Sequence, residues 1–315
     1  MEKAIEVKSG SLDTMQVHNQ WASRVPEERW LNLLDFHQYN TDVYHSSQTK
    51  VYSLKELKAI ECSKDETGKA LSIVGPSGKE AGMTNWSFQQ LVGQRLGGYP
   101  SMVSRMPSKL ASEVINWHIE EAGEEKIGVL LQRKAGDNVL MRAVTSEGYG
   151  RIWNYQITRP MVERFGDGVT GDWTIPGIRG KSLETITPQT TTIFGSDKDM
   201  HIMLADEVNK ISIPNRRNGK AGELSRGFIV GNSETGGGKL YLAFFTYDFL
   251  CENRIIWGLD DSFEISIKHS KNAPERWLEE IAPAIENYGK SKASNFEQRL
   301  LLAQGTKLEI GVDGI

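Results

Sequence analysis

The chain has 315 residues, of which 38% are hydrophobic and 25% charged, the composition of an ordinary globular protein. Its 37 basic and 41 acidic residues give a net charge of −4, which argues against a dedicated non-specific binder of duplex DNA because such proteins carry a basic surplus. Two cysteines, Cys62 and Cys251, indicate a reducing compartment, and no apolar run is long enough for a leader or a membrane span. We therefore expect a cytoplasmic protein without a membrane partner.

The first part of the chain, residues 1–83, is polar and rich in turn formers, and we predict a partly irregular N-terminal region there. Tryptophans stand at Trp21 and Trp30. Residues 64–82 are rich in Gly, Ser and Lys, which indicates a hairpin or a surface loop.

Two helices follow. The first is predicted to begin after Thr84 as its N-cap and to direct Trp86, Leu91 and Leu96 toward a core. The second is predicted to begin after Pro107 and Ser108 and to end at Gly123. Its apolar residues at helical spacing are expected to face the core, and they are Leu110, Val114 and Trp117.

Strand patterns dominate the next part of the chain. Residues 127–133 and 138–145 flank a turn at 134–137 and predict a hairpin. Residues 166–187 hold many glycines and prolines and predict an irregular region. Further strands are predicted at 190–194, 201–205, 228–230, 239–250, 255–257 and 262–268.

Helices are predicted again at the C-terminal end. One begins near Pro274, with Trp277, Ile281 and Tyr288 on one side, and another opens at Ser294 with a capping-box pattern. The order of elements predicts an α+β fold, with antiparallel sheets, helices packed on one face and helices at the C-terminal end. The predicted segments are 1–83, a core at 84–270 and C-terminal helices at 271–315.

No pattern of catalytic residues stands out. The glycine-rich segment 231–239 departs from a phosphate-binding loop, because Ser233 replaces its first glycine and Leu240 follows its lysine, so we favour a hairpin connection. We predict no catalytic residue, no metal and no cofactor, since the histidines lack the spacing of zinc ligands; they are His18, His37, His45, His118, His201 and His269. Three acidic pairs leave a metal-dependent nuclease open, although solvated turns are favoured: Asp197 with Asp199, Asp206 with Glu207, and Asp260 with Asp261.

Two segments suggest contacts with nucleic acid. Residues 215–226 hold four basic side chains against the single acid Glu223 and predict an extended loop that grips phosphates or is simply solvated; the four are Arg216, Arg217, Lys220 and Arg226. Arg151, Trp153 and Tyr155 form a second candidate, in which the rings stack on bases. The alternative for these aromatics is that they belong to the core.

Three segments resemble a known family, the phage/plasmid-like proteins catalogued as domain of unknown function 932. They are residues 86–116, from Trp86 to Asn116; residues 142–149, from Arg142 to Tyr149; and residues 226–258, which include Glu234, Cys251 and Asn253. Arg254 departs from the family, where a glycine often follows the cysteine element. The resemblance implies occurrence in phages, prophages and plasmids, and hence the cytoplasm of a host cell. It implies no activity.

Three functions remain open on these observations. The first is a non-catalytic protein that binds single-stranded DNA in recombination or annealing, expected as a homo-oligomer because annealing proteins work as rings or filaments. The second is an interaction protein that binds a host protein and modulates a host defence or restriction enzyme, a role that tolerates negative charge. The third is the metal-dependent nuclease.

Overall fold

Two sheets form the framework of the protein, with helices packed on them. The computed structural model describes residues 23–64, 70–177, 183–213, 222–248, 256–259 and 265–290. The α+β fold with largely antiparallel sheets is as predicted. Within the described ranges, no helix has the length and apolar character needed to cross a bilayer.

Fourteen strands are described, and they are β1 Arg29–Trp30, β2 Ser47–Ser53, β3 Lys58–Glu61, β4 Leu71–Val74, β5 Glu80–Met83, β6 Lys126–Arg133, β7 Val139–Ser146, β8 Trp173–Thr174, β9 Ile193–Gly195, β10 Met200–Ile213, β11 Gly222–Asn232, β12 Leu240–Asp248, β13 Ile256–Leu259 and β14 Ile265–Ile267. The large sheet has the order β1-β9-β10-β11-β12-β13, with β8 paired to β10 and β14 to β12. The small sheet has the order β2-β6-β7-β5-β4-β3, and in it β5 and β7 are parallel.

The described helices lie before, between and after these strands. They are α1 Leu33–Ser46, α2 Asn85–Gln89, α3 Pro100–Val103, α4 Ser108–Glu121, α5 Asn154–Phe165, α6 Ala273–Arg276 and α7 Ala282–Lys290. Helices α2 and α6 each continue into a π-helical segment, at Gln90–Arg95 and Trp277–Ile281. Thr84 caps α2 as predicted, since its side chain accepts a hydrogen bond from the Ser87 amide. Helices α1 and α5 were not predicted. The helix expected from Ser294 lies outside the described residues.

The main core lies between the large sheet and the helices α1, α5 and α7. Phe228 and Val230 of β11 and Leu242 of β12 are fully buried against this helical layer. The helices contribute buried side chains that include Ile157, Met161, Phe165, Trp277, Ile281 and Tyr288. The expected core face of the helix predicted to begin near Pro274 is therefore confirmed, because Trp277, Ile281 and Tyr288 are all buried in this core.

A second core lies between the small sheet and α4. The predicted core face of α4 is confirmed for Val114, which packs against this core, and is wrong for Leu110 and Trp117. Ile115 and Ile119 are buried, whereas Leu110 is 47% and Trp117 59% exposed. Asn116 explains the orientation, because its side-chain amide exchanges two hydrogen bonds with the backbone of Ala59 in the edge strand β3, at 2.7 and 2.9 Å. The helix thus supplies hydrogen-bond partners that an edge strand lacks, and Leu110 and Trp117 face outward.

The small sheet joins strands from both sides of residue 83. Strands β2 to β5 come before this position, and β6 and β7 come after α4. β5 pairs with β7, and β2 pairs with β6 over seven residues from Ser47 to Ser53. The division at residue 83 stays a prediction, and any domain boundary has to accommodate this pairing. The hairpins predicted at 127–145 and within 64–82 are confirmed as β6–β7 and β4–β5.

Candidate nucleic-acid interface

A buried connection between β11 and β12 links the two sheets. Segment 231–239 is the predicted hairpin connection, and its residues Ser233 to Thr235 are buried. The carbonyl of Thr235 accepts hydrogen bonds from Trp86 Nε1 at 3.1 Å and from Gln90 Nε2 at 2.8 Å. Tyr149 donates its hydroxyl to the Ser233 carbonyl at 2.6 Å. The end of the large sheet is therefore fastened to α2 and to the turn that follows β7.

An ion pair lies at the centre of this junction. Arg142 of β7 stands 2.7 Å from Glu234, and the two side chains are 6% and 4% exposed. The second carboxylate oxygen of Glu234 accepts the backbone amide of Asn154 at 2.9 Å. Because Asn154 is the first residue of α5, the carboxylate also stabilises the N-terminus of that helix. One acidic side chain thus fixes the relative position of a strand and a helix.

The junction brings together the three segments that carry the family resemblance. Trp86 and Gln90 come from the first, Arg142 and Tyr149 from the second, and Glu234 from the third. These side chains serve as structural contacts between the sheets. The three segments can be recognised in the sequence, but the contact between them cannot, because they are far apart in the chain.

Arg151 lies at the edge of this junction and is buried. Its guanidinium donates to the Glu234 carbonyl and, at 3.3 Å, to Thr49 Oγ1. It also stands over the rings of Tyr149 and Trp153, at 5.3 and 5.5 Å from their centroids. Burial lowers the pKa of Arg151 to about 10. The Arg151 guanidinium therefore packs against the ring of Trp153 and is not exposed to solvent.

The prediction that Arg226 belongs to an extended basic loop is wrong. Strand β11 already begins at Gly222, and the Arg226 side chain is 2% exposed. It forms an ion pair with the buried carboxylate of Asp206 at 2.6 Å and lies against the rings of Trp173 and Tyr288. The other basic residues of the predicted loop lie outside the described residues, so their role stays a prediction; they are Arg216, Arg217 and Lys220.

Trp153 and Tyr155 belong to a half-buried group of rings at the contact of α1 with α5. Tyr44 of α1 stacks on Tyr155, with centroids 4.6 Å apart and planes at 25°, and meets Trp153 edge-on at 5.0 Å. His37 and His45 flank Tyr155 at 6.3 and 6.5 Å. We call this group the aromatic surface, and it comprises His37, Tyr44, His45, Trp153 and Tyr155. All five rings keep some contact with solvent, and His45 is exposed.

Local structure explains how these rings come to lie together. The side chain of Asn32 caps α1 by accepting the Asp35 amide at 2.7 Å, and this sets the helix face that carries His37 and Tyr44. Trp153 precedes α5, and its backbone amide donates to Gln156 Oε1 at 2.9 Å. The helices are joined by a 2.9 Å contact between His37 Nδ1 and Thr158 Oγ1. Tyr44, His37 and His45 were missed, although their helical spacing and the Asn32 cap are visible in the sequence.

A cation stands beside the aromatic surface. Arg159 of α5 is exposed, and its interactions with Glu163 and then with Tyr155 raise its pKa. The distance from Arg159 Nε to Glu163 Oε1 is 3.0 Å. Burial, followed by the charge of Arg159, lowers the pKa of His37. The surface therefore combines stacked rings with a positive charge whose acidic partner, Glu163, is exposed.

The acidic residues that the structure describes give no support to a metal centre. Asp197 and Asp199 lie in the turn between β9 and β10, as the favoured interpretation has it, and Asp199 forms an ion pair with Arg24 at 2.7 Å. Asp206 and Glu207 are buried, the first paired with Arg226 and the second accepting the Gly177 amide. Asp260 and Asp261 lie outside the described residues. In the part of the chain that the structure describes, no three His, Cys, Asp or Glu side chains are grouped to hold a metal ion.

Comparison with protein families, with curated proteins and with solved structures returned no match. The resemblance to the phage/plasmid-like family therefore stays a prediction.

Proposed function

We propose that the aromatic surface binds single-stranded DNA without catalysing a reaction. The observation that carries this proposal is the stacking of Tyr44 on Tyr155, with Trp153 edge-on beside them, at a half-buried position on the surface. Bases stack on such rings with about 1–3 kcal/mol per base, whatever their sequence, because every base offers a π-face. A duplex keeps its bases stacked inside the helix, so this recognition favours single strands.

Arg159 supports the proposal electrostatically. Its ion pair with Glu163 is exposed on both sides, and such helical pairs contribute only about 0.3–0.5 kcal/mol. A backbone phosphate can therefore replace Glu163 as the partner of the guanidinium at little cost. The three remaining basic candidates of the predicted loop, Arg216, Arg217 and Lys220, would add phosphate contacts. Buried Arg151 and Arg226 have no part in the proposed interface.

The family resemblance supports only a place in the cytoplasm of a host cell. For a single-strand binder of a mobile element we propose a role in recombination or annealing, and a homo-oligomer follows from that role because annealing proteins work as rings or filaments. Annealing requires an agent that holds two strands in single-stranded form without cutting them. A stacking surface with few charges meets this need, since its hold on each strand is moderate and reversible. The net charge of −4 fits the same scheme, because it weakens competing attachment to duplex DNA.

The proposal is tested by the fluorescence anisotropy of a labelled oligodeoxythymidine mixed with the full chain at several salt concentrations. A duplex of equal length is the control. We expect the single strand to bind more tightly than the duplex, with an affinity that falls as the salt concentration rises because arginines contact the phosphates. Equal affinity for the two, or no binding at low salt, would contradict the proposal.

A partner protein is the second candidate, and the outward side of α3 and α4 favours it. Four large apolar side chains there are more exposed than is usual, namely Tyr99, Met102, Leu110 and Trp117. Aromatic residues of this kind commonly anchor protein interfaces. Capture of one host protein in stoichiometric amount by the natural chain, and its loss with Trp117→Ser, would support this function. Equal capture by both chains would remove the α4 face from consideration.

A further inference from the structure

The small sheet curls so that its two edges approach each other. β2 and β3 are the two edge strands, yet only the residues from Leu54 to Leu57 connect them along the chain. Gly75 shows the closure, because a Cβ atom at this position would lie 3.6 Å from the ring of Tyr52 and 3.6 Å from Leu57 Cδ2. Gly75 follows β4, and Tyr52 belongs to β2. These two strands lie near opposite edges of the small sheet. The sheet therefore encloses a space on its concave face.

A cavity of about 450 Å³ occupies part of this space. Small-molecule sites typically measure about 300–1,000 Å³. Aliphatic side chains from four neighbouring strands form its floor, and they are Ile73, Ala81, Val129, Leu131, Val139 and Met141. Gln132 also lines the cavity and is buried, but its amide donates to Ser46 Oγ at 3.1 Å. The floor therefore favours an apolar group over a hydrogen-bonding one.

The mouth of the cavity is basic. Four cations line it, with Asp137 as the only acid among the lining residues, and they are Lys50, Lys79, Arg133 and Lys134. This ratio is opposite to that of the whole chain, in which acids outnumber bases by 41 to 37. Within the described ranges, none of these four side chains forms an ion pair with a carboxylate. Lys79, Arg133 and Lys134 are exposed, so their charges are available to a ligand.

We propose that this cavity binds a small organic anion with an aliphatic body, whose tail fills the aliphatic floor and whose carboxylate lies among the cations of the mouth. The apolar floor supplies affinity through burial, at about 25 cal/mol per Å² of apolar surface removed from water. The cations at the mouth supply selectivity for negative charge. This inference is independent of nucleic-acid binding, since none of the residues of the aromatic surface lines the cavity.

The test is isothermal titration calorimetry of the full chain with decanoate, and with decyltrimethylammonium as a ligand of equal tail length and opposite charge. We expect decanoate to bind with a stoichiometry of about one per chain, as for a single pocket, and the cation to bind at least about tenfold more weakly. Equal affinities, or no heat with decanoate below its micelle-forming concentration, would overturn the proposal.

Two variants locate the site. Lys50→Glu combined with Lys134→Glu is expected to weaken decanoate binding at least about tenfold, because both substitutions reverse charges at the mouth. Lys126→Glu is the matched control, since Lys126 is exposed at the opposite end of β6 and does not line the cavity. Val139→Phe, which narrows the cavity from a half-buried position, is expected to weaken binding in the same way. Undiminished binding in both folded cavity variants, checked by circular dichroism, would overturn the assignment.

Discussion

Arg142 and Glu234 form an ion pair of 2.7 Å between the small sheet and the connection that follows β11. Both side chains are more than nine-tenths buried, and the carboxylate also accepts the first amide of α5. This pair fixes how the large sheet and α5 lie relative to the small sheet. It thereby positions the segment that carries Trp153 and Tyr155, on which the proposed function depends.

Removing the acid of this pair is expected to destabilise the fold strongly. Glu234→Ala leaves the Arg142 charge buried without its partner, so the free energy of unfolding should fall by about 3–5 kcal/mol. Chemical denaturation measures this. The control is Glu280→Ala, which breaks an exposed pair with Arg276 on one helix and should cost no more than about 0.5 kcal/mol. Equal losses for the two variants would contradict the role of the junction.

The orientation of α4 makes a second prediction. Ile115→Ala removes a fully buried side chain and should lower the free energy of unfolding by about 2–5 kcal/mol. Trp117→Ser alters a larger residue that is mostly exposed and should change it by no more than about 0.5 kcal/mol. Thermal or chemical denaturation distinguishes the two. A larger loss with Trp117→Ser would restore the core face that the apolar spacing predicts.

The capped helix α2 and most strands from β4 onward were predictable, because apolar runs, turns and an N-cap are local features. Strands β1 to β3 were missed in the polar N-terminal region. The face of α4 was predicted only in part, since Asn116 bonds to β3 while Leu110 and Trp117 face outward. α5 was missed because Pro160 lies in its interior, where a proline removes one backbone hydrogen bond and usually indicates the end of a helix. α1 was missed because its mixed sequence from Leu33 to Ser46 shows a weak apolar face, although Asn32 marks its start.

The candidate site was predictable only in part. Trp153 and Tyr155 were selected from sequence, but the partners that make them a stacking surface come from α1, more than a hundred residues earlier in the chain. Arg151 and Arg226 were selected for their charge, whereas the structure pairs both with buried acceptors. A charged residue can be exposed to solvent, or it can be buried where it is paired with an acceptor. The acceptor that decides between these outcomes can be distant in sequence, as Asp206 is from Arg226.

The buried histidine His201 predicts a specific response to acid. Burial lowers its pKa from 6.5 to about 3, and its Nδ1 contacts the Tyr241 hydroxyl at 2.7 Å. Between these pH values the unfolded chain binds a proton that the folded chain does not. This residue's contribution to stability is therefore complete above pH 6.5 and is lost as the pH falls toward 3.

His201→Gln should remove this response. Between pH 6 and pH 4, the free energy of unfolding of the natural chain should fall more steeply than that of the variant, by up to about 1.4 kcal/mol per pH unit. Denaturation at a series of pH values gives both slopes. His45→Gln, at an exposed ring, is the control substitution. Identical slopes for the natural chain and His201→Gln would show that His201 does not contribute to acid sensitivity.

Buried Arg226 and the basic residues that precede it should behave differently. Arg226→Ala breaks the pair with Asp206 and should cost about 3–5 kcal/mol of stability. Arg216→Ala combined with Arg217→Ala should instead flatten the salt dependence of oligonucleotide binding, by about 0.7 in the logarithmic slope for each lost phosphate contact. Denaturation and anisotropy measure the two effects. An unchanged salt slope in the double variant would remove these arginines from the interface.

The central claim is that the stacked rings of α1 and α5 bind the bases of a single strand, and one substitution tests it most directly. Tyr155→Leu keeps an apolar side chain against Tyr44 but abolishes stacking, so the affinity for oligodeoxythymidine, measured by anisotropy, should fall by about 1–3 kcal/mol. Tyr99→Leu is the matched control, because Tyr99, the residue before α3, is 73% exposed and takes no part in the aromatic surface. A loss of affinity in Tyr155→Leu alone is the predicted result. Equal affinity of both variants and the natural chain would contradict the claim.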